Sequence, residues 1–595
     1  MFWSFSAENR RDTLHAQFAH HVMRLQLATC PPATTTMRAL IAVAIFVVTI
    51  SATMHWTHLW QRVQHPLWTT PQPPAHKRIA IVGLGSGGIT ALRALSDLPP
   101  DLRSGLSITA FDERESVGGL WLPEDDPPAP PVTPMTPLYP GLRTNGPHPM
   151  MTIPNTPLEP ETPLLAPSNA VLRYWERVFA ETRRPPKTSI LFQQSVLQAK
   201  WNGSQQEGEW HLSVRDLATN GTRTLAFDHV IAAPGVNRIP RIPAFTGQED
   251  WLQHDPERAI MHCMWYRDRR AFENRTVLVV GGGPSGLDMA RHSSWLAKKV
   301  YWSRRDGGPG SPFFDLPPDV ESVPPLSHFT STSAHLSDGS VLSDIDYVIL
   351  ATGYDIAFPF ITSGGQLDEL VHGEQPDDRL TTNLHYVRPL YEHTLSLDSR
   401  YPLGALYFVG ILTYNPTGMT CYAQSLFAAY TIVRPDLLGT RSELLVALKA
   451  REARVRAESG LEPGQVGHKI DPGYGAMQGH DDAGPFQDTL VHSLRTRDPS
   501  LAGQPGIPGH GFNFTERWRV YVLRNALDLL YGWHARLDSE GEGLDVWEGE
   551  FVRGVATEAD YLDAVARFVG WWRNSKEKST WSDQWKTTML KTLRW

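Results

Sequence analysis

Residues 77–121 read KRIAIVGLGSGGITALRALSDLPPDLRSGLSITAFDERESVGGLW, and this stretch decides the fold. Ile79 to Val82 is a short apolar run rich in β-branched residues, as a parallel strand buried on both faces requires. Gly83, Gly85 and Gly88 follow at GxGxxG spacing, with Ser86 and Gly87 between them. Ile89, Leu92 and Leu95 then recur at helical intervals, and Leu106 to Phe111 forms a second strand ending at Asp112. Each glycine has its own physical reason. Gly83 permits the tight turn, Gly85 lets backbone N–H groups approach a pyrophosphate, and Gly88 lets helix and strand pack closely. Asp112, at the tip of the second strand, can accept a hydrogen bond from a ribose hydroxyl. A glycine loop alone is common; the strand before it, the helix after it and the acid beyond it make a dinucleotide-binding unit.

Outward from this unit, 595 residues allow two to four domains. A net charge of −8 without a basic stripe gives no footprint for nucleic acid. Cys30, Cys263 and Cys421 are far apart, so there is no CxxC redox pair, disulfide framework or zinc pattern. Upstream, residues 1–37 are a polar tail. Ala39 to Met54 carries no charge and is flanked by Arg38, Trp56 and Trp60, which predicts an N-terminal transmembrane helix over 38–56. A buried core helix is the bland alternative, and a start at Met37 would make the same run resemble a signal peptide. Orientation stays open, since basic residues lie on both sides. Asn202, Asn220, Asn274 and Asn513 head N-x-S/T triplets that would matter only in a lumenal body. Residues 57–76 are a Pro-rich linker.

Downstream, Pro123 to Pro140 is too proline-dense for helix or central strand. Residues 168–182 read as an amphipathic helix capped by Ser168 or Asn169, and residues 190–232 as antiparallel strands with a turn at Asn220-Gly221. A second nucleotide unit begins at Arg275. Thr276 to Val280 is its strand, and Gly281, Gly283 and Gly286 repeat the glycine spacing, with Pro284 and Ser285 in the loop. Its next strand ends in Arg304 and Arg305 instead of an acid; guanidinium groups pair with a 2′-phosphate where a carboxylate would repel it. The bland reading of that pair is a solvated basic corner. Two dinucleotide units in one chain without a CxxC pair point to FAD on the first and NADPH on the second. Residues 340–354 and Leu406 to Gly410 supply further strands, the latter followed by a helix that returns to the first domain; residues 441–595 look mostly helical, with Trp571, Trp572, Trp581, Trp585 and Trp595 near the end. Those tryptophans suggest packing on the core or, less blandly, a face that touches a membrane.

Six stretches carry a resemblance to the flavin-containing monooxygenase family (dimethylaniline monooxygenase-like) over about residues 77–435: GLGSGG, FDERESVGGLW, LRTNGPHPMM, MHCMWY, VVGGGPSGLD with SRR, and ATGY. The resemblance implies that Asp112 is the ribose-binding acid, where glutamate is usual, and that Leu120 and Trp121 contact the flavin. It implies that Asn145, flanked by Thr144 and Gly146, sits by flavin and nicotinamide and helps hold the oxygenated flavin. The family's F-x-G-x-x-x-H-x-x-x-[Y/F] pattern is kept only in His262 and Tyr266. Phe245 and Gly247 stand upstream of an insertion, and Pro256 and Arg258 fill their places. Ala233-Pro234-Gly235 replaces a usual Ala-Thr-Gly.

The expected fold is α/β: two Rossmann-like domains, the FAD domain (77–240 and 336–440) interrupted by an NADPH domain (241–335), with an N-terminal transmembrane helix and a helical C-terminal extension (441–595). The expected activity is a single-pass, endoplasmic-reticulum monooxygenase. By way of a flavin hydroperoxide it would insert one atom of O2 into a nucleophilic nitrogen or sulfur of a small molecule such as a secondary metabolite. Two alternatives stand beside it. Trp265, one residue before Tyr266, motivates Baeyer–Villiger oxygenation of a ketone, and the broken fingerprint motivates a non-catalytic nucleotide-binding sensor. For His262, a structural or gating duty stands beside proton transfer.

Overall fold

The computed structural model describes residues 76–305, 319–373, 375–413, 415–459, 483–525 and 551–574, with a few positions between 528 and 549. The expected tail, transmembrane helix and all but the end of the Pro-rich linker lie outside the described residues. Among the described residues no helix is long and apolar enough to cross a membrane.

Two parallel sheets organise these residues. The first is built on β1 (Lys77–Val82), β2 (Leu106–Phe111), β3 (Thr188–Leu191), β7 (His229–Ala232) and β15 (Leu406–Phe408), in the order β15-β7-β1-β2-β3. An antiparallel pair, β13 (Leu390–Tyr391) and β14 (Leu395–Ser396), extends one edge. Ile79, Ala80 and Ile81 are fully buried because both faces of the sheet are covered. Helix α1 (Ser86–Asp97) lies on one face, packed with α4 (Thr417–Val433), whose residues Gly418 to Ile432 are all buried. The helix expected after Leu406–Gly410 therefore does return to the first domain. The other face is capped by an antiparallel meander, β4 (Gln194–Gly203), β5 (Gly208–Asp216) and β6 (Thr222–Phe227).

The second sheet is parallel throughout: β11 (Val320–Val323), β10 (Lys299–Ser303), β9 (Thr276–Val280), β12 (Tyr347–Leu350) and β8 (Ala259–His262), in that order. Helix α3 (Pro284–Ser294) follows β9. Strand β12 pairs with β9, so the boundary expected at 335/336 moves past Leu350. Pairing between distant strands leaves no local mark on composition, which is why a boundary read from sequence fell early.

Two local expectations are also corrected. Helix α2 (Ser168–Glu181) is not capped by Ser168 or Asn169. Its N-cap is Pro167, held extended, and the Ser168 N–H donates to the Leu142 carbonyl 3.2 Å away. Residues 190–232 are not one antiparallel set, because β7 leaves the meander at Asp228 and enters the parallel sheet between β1 and β15. The turn at Asn220-Gly221 is present, with Asn220 at φ 61°. The insertion 248–261 holds a short helix, Gln248–His254, whose fully buried Trp251 packs on Phe329.

The C-terminal extension contributes α5 (Arg441–Ser459), α6 (Ala483–Arg497), α7 (Arg517–Arg524) and α8 (Glu558–Asn574). Trp572 is buried beside Trp571, and Trp571 packs against the cluster that holds Phe568 and Trp533. Trp581, Trp585 and Trp595 lie outside the described residues.

Candidate active site

Both glycine loops stand at the carboxyl ends of their central strands, where ligands of open α/β sheets bind. In the first, Gly83 adopts φ 96°, and an added Cβ would lie 2.3 Å from the Ala233 carbonyl oxygen. A Cβ on Gly88 would lie 1.8 Å from the Gly83 oxygen, and one on Gly87 2.8 Å from that of Val409. These glycines are demanded by packing of strand, loop and helix. Gly85 answers to a different neighbour: a Cβ on Gly119 (φ 55°) would lie 2.8 Å from the Gly85 Cα. The loop carrying Gly118, Gly119, Leu120 and Trp121 thus rests directly on the glycine loop. That contact was not assigned from sequence, although the paired glycines of VGGLW mark it. Ser86 opens α1 and hydrogen-bonds the buried Cys421 thiol.

Asp112 is 7% exposed, and burial pushes its carboxyl group above the usual range. Oδ2 accepts from the Leu84 N–H (2.6 Å) and Oδ1 from the Arg114 N–H (2.8 Å). The carboxylate therefore ties the glycine loop to the end of β2 and keeps acceptor capacity for a further donor.

In the second unit a Cβ on Gly281 (φ 126°) would lie 2.2 Å from the Ala351 oxygen, and one on Gly286 2.0 Å from the Gly281 oxygen. Trp302 Nε1 donates to that same oxygen at 2.7 Å. Gly283 is different, because its added Cβ would meet nothing within 4 Å. No neighbour in the chain requires glycine there; room for a group outside the chain does. The N-caps of α1 and α3 are Gly85 and Gly283, with no side-chain cap on either, and Pro284 occupies the first turn of α3. Uncapped N–H groups at two helix ends suit two pyrophosphates. Ser285 hydrogen-bonds the buried Cys263 thiol. Arg304 lies beside the loop, its Cβ 3.4 Å from a Cβ built on Gly282. Its Nε donates to Ser322 Oγ at 3.1 Å and its guanidinium lies over Trp302. Arg305 is exposed.

Thr144 is buried and Asn145 is exposed. The Thr144 hydroxyl donates to the Gly146 carbonyl (2.8 Å) and the Thr144 N–H to the Ala166 carbonyl (3.0 Å), a turn that projects Asn145 outward. Gly146 faces Met150. A small hollow of about 10 Å³, the size of one water, lies between the Gly118–Trp121 loop and the chain just after Gly146: its lining includes Trp121, His148, Met151, Tyr174 and Thr417.

The Pro-rich segment links the surroundings of the two glycine loops. The Tyr139 hydroxyl donates to Asp288 on α3, the Trp265 indole N–H to the Val132 carbonyl (2.9 Å), and Arg267 to that of Thr136 (2.8 Å). His262 is 2% exposed. Its Nδ1 accepts from the Met264 N–H (3.1 Å), so Nε2 carries the proton and donates to the Gly353 carbonyl (3.1 Å). With both nitrogens engaged and burial lowering its pKa to about 4, His262 ties β8 to the Ala351–Tyr354 turn as a structural residue. The Tyr266 hydroxyl meets His292 Nδ1 at 2.8 Å.

Two parallel sheets, each presenting a glycine loop and a bare helix N-terminus, define a two-dinucleotide oxidoreductase. The family model described as flavin-binding monooxygenase-like matches residues 76–309 and 318–371. The chain is 30% identical over 322 residues to the thiol-specific monooxygenase of Saccharomyces cerevisiae, covering 54% of this chain and 69% of that protein. It is 27% identical over 346 residues to the senecionine N-oxygenase of Tyria jacobaeae, covering 57% and 68%. In fold it is similar to the S-allyl-L-cysteine S-oxygenase of Allium sativum, with a TM-score of 0.59 at 20% identity over 84% of this chain and 100% of that one. The chain belongs to the flavin-binding monooxygenase-like family. It is a flavin-dependent monooxygenase, with FAD and NADPH as its cofactors.

Proposed function

We propose that this enzyme adds one atom of O2 to a nucleophilic nitrogen or sulfur of a small molecule. The observation that carries the reading is the pair of bare-ended glycine loops in one chain whose described cysteines, Cys263 and Cys421, are buried and unpaired. Two dinucleotides with no described cysteine pair between them exchange electrons directly. The names of two relatives, a thiol-specific monooxygenase and an N-oxygenase, support sulfur or nitrogen as the acceptor.

Bound FAD and NADPH supply hydride transfer and the activation of O2. The chain supplies position and a dry site. The first-turn N–H groups of Ser86, Gly87 and Gly88 hold the FAD pyrophosphate, with Gly83 and Gly85 shaping the approach, and Asp112 accepts from its ribose. Leu120 and Trp121 wall the flavin. Asn145, exposed and without a hydrogen-bond partner among the described residues, offers its amide to the flavin edge, with Thr144 and Gly146 setting its height. Gly281, Gly283, Pro284, Ser285 and Gly286 seat the NADPH pyrophosphate, and Arg304 and Arg305 pair with its 2′-phosphate. Residues 38–56 anchor the protein in the endoplasmic reticulum membrane as a single span.

The test is a visible spectrum of the purified protein, taken before NADPH, after NADPH without air, and after air is admitted with an amine or thioether present. Bleaching by NADPH, followed by an N-oxide or S-oxide formed in step with NADPH consumed, is expected. Reduction with peroxide as the sole product would refute the oxygen transfer. For the anchor, deletion of residues 38–56 should move the protein from the membrane pellet to the soluble fraction.

A further inference from the structure

The C-terminal extension carried no readable motif, yet it grips the segment that follows Asn145. Arg519, on α7, is 2% exposed. Its guanidinium donates to the carbonyls of Pro149, Thr152 (3.1 Å) and Ile153 (3.5 Å), to Thr152 Oγ1 (2.8 Å) and to Glu516 Oε2 (2.8 Å). The same turn is also pressed by α4: a Cβ on Gly418 would lie 1.9 Å from the Met151 oxygen. The extension also holds residues 159–161 of the same segment. The Glu161 N–H donates to the Val555 carbonyl (2.7 Å), the Gly554 N–H to Glu161 Oε1 (2.8 Å), and the Tyr561 hydroxyl to the Glu159 carbonyl (3.1 Å).

Backbone carbonyls buried in a turn need donors, and Pro149, Thr152 and Ile153 are buried. A planar guanidinium with five N–H groups can serve several diverging carbonyls at once, whereas an ammonium is a single compact donor centre. Pro149 is four residues from Asn145, and the turn between them is short and rich in proline. Its height above the sheet is therefore transmitted to the Asn145 amide.

We propose that Arg519 is a positioning residue for oxygen transfer: by fixing the Pro149–Ile153 turn it holds Asn145 against the flavin edge. This rests on the reading of Asn145 given above. Misplacing a group by about 1 Å from a remote contact can cost two orders of magnitude in the step it serves.

The test uses the full chain with its flavin and compares Arg519→Met, Arg519→Lys, Asn145→Ala and the Arg519→Met/Asn145→Ala double variant. Two readouts are taken: deuterium uptake of residues 145–153, and peroxide released per NADPH oxidised with methyl phenyl sulfide as acceptor. Arg519→Met should raise uptake in 145–153 but not in β1 or β9. Its peroxide yield should rise about tenfold, to that of Asn145→Ala, with Arg519→Lys between parent and Met and the double variant no worse than Asn145→Ala. An Asn145→Ala variant that couples as the parent does would refute the reading of Asn145 and the proposal with it. A leaking Asn145→Ala beside an Arg519→Met that couples normally would sink the proposal alone. So would uptake that rises equally everywhere. Should the Met variant not accumulate, Arg519→Lys decides on the same two readouts.

Discussion

The two glycine loops are near copies in backbone and differ in what surrounds them. In each, the first glycine has positive φ, and a Cβ on it would press the carbonyl just past the parallel strand beside it, Ala233 after β7 and Ala351 after β12. In each, the last glycine presses on the carbonyl of the first. The difference begins at the middle glycine. Gly85 is met by the chain itself, at Gly119, whereas Gly283 faces open space. It continues at the end of the second strand, where a buried carboxylate bound to two backbone N–H groups stands against a guanidinium braced by Ser322 and Trp302. On the proposed assignment, the loop backed by Gly119 seats FAD and the open one seats NADPH. Packing sets the shared part, and ligand chemistry sets the divergent part.

The comparison breaks hardest at the glycines. Gly88→Ala places a methyl group 1.8 Å from a carbonyl oxygen with no flexible neighbour to yield. A loss of roughly 3 kcal/mol or more, with little flavin retained, is expected from thermal melting and the visible spectrum. Gly286→Ala, at 2.0 Å, should destabilise comparably. Gly283→Ala should melt like the parent and keep its flavin, and should weaken NADPH alone. If Gly283→Ala unfolds the protein, the open space beside it has another meaning.

That contrast also separates what was legible in the sequence from what was not. Glycine spacing, Asp112 and the Arg304–Arg305 pair are local, and each follows from one turn and one strand end. The seat of Asn145 is not local. It depends on Arg519 meeting backbone carbonyls some 370 residues away in sequence, and carbonyls are the same in every residue. Gly119 was visible but its neighbour was not. The Pro167 cap escaped because the competing partner of Ser168, the Leu142 carbonyl, comes from another segment. The placement of β12 beside β9 escaped for the same reason.

Acid should distinguish the halves through two buried histidines. His148, beside the Asn145 turn, is lowered by burial to about 3, and His262, on the second sheet, to about 4. Both are held neutral when folded and bind a proton more readily when unfolded. Stability therefore rises with pH through the window from these values up to about 6.5, and falls as acid is added. His262 alone contributes about 3 kcal/mol across that window. Urea melts from pH 7 to pH 5 should show the slope, and His262→Gln should reduce it, leaving the share of His148, without changing flavin content. A slope unchanged by that substitution would mean that His262 is charged in the folded protein.

The smallest effect sharpens the comparison most. Arg304→Gln removes the charge at the one position where the two units carry opposite signs, while leaving a side chain long enough to hydrogen-bond Ser322. A charge-assisted pair with a phosphate is worth about 1.5–3 kcal/mol, part of which Arg305 retains, so KM for NADPH should rise about tenfold. KM for NADH, which lacks that phosphate, should stay within about twofold, and melting temperature and flavin spectrum should not move. Equal losses with both nucleotides would place Arg304 on the pyrophosphate and leave the 2′-phosphate to Arg305 alone. No loss with either would return it to its bland role, a cation braced on Trp302, and the sign difference between the loops would then carry no information about which dinucleotide each one holds.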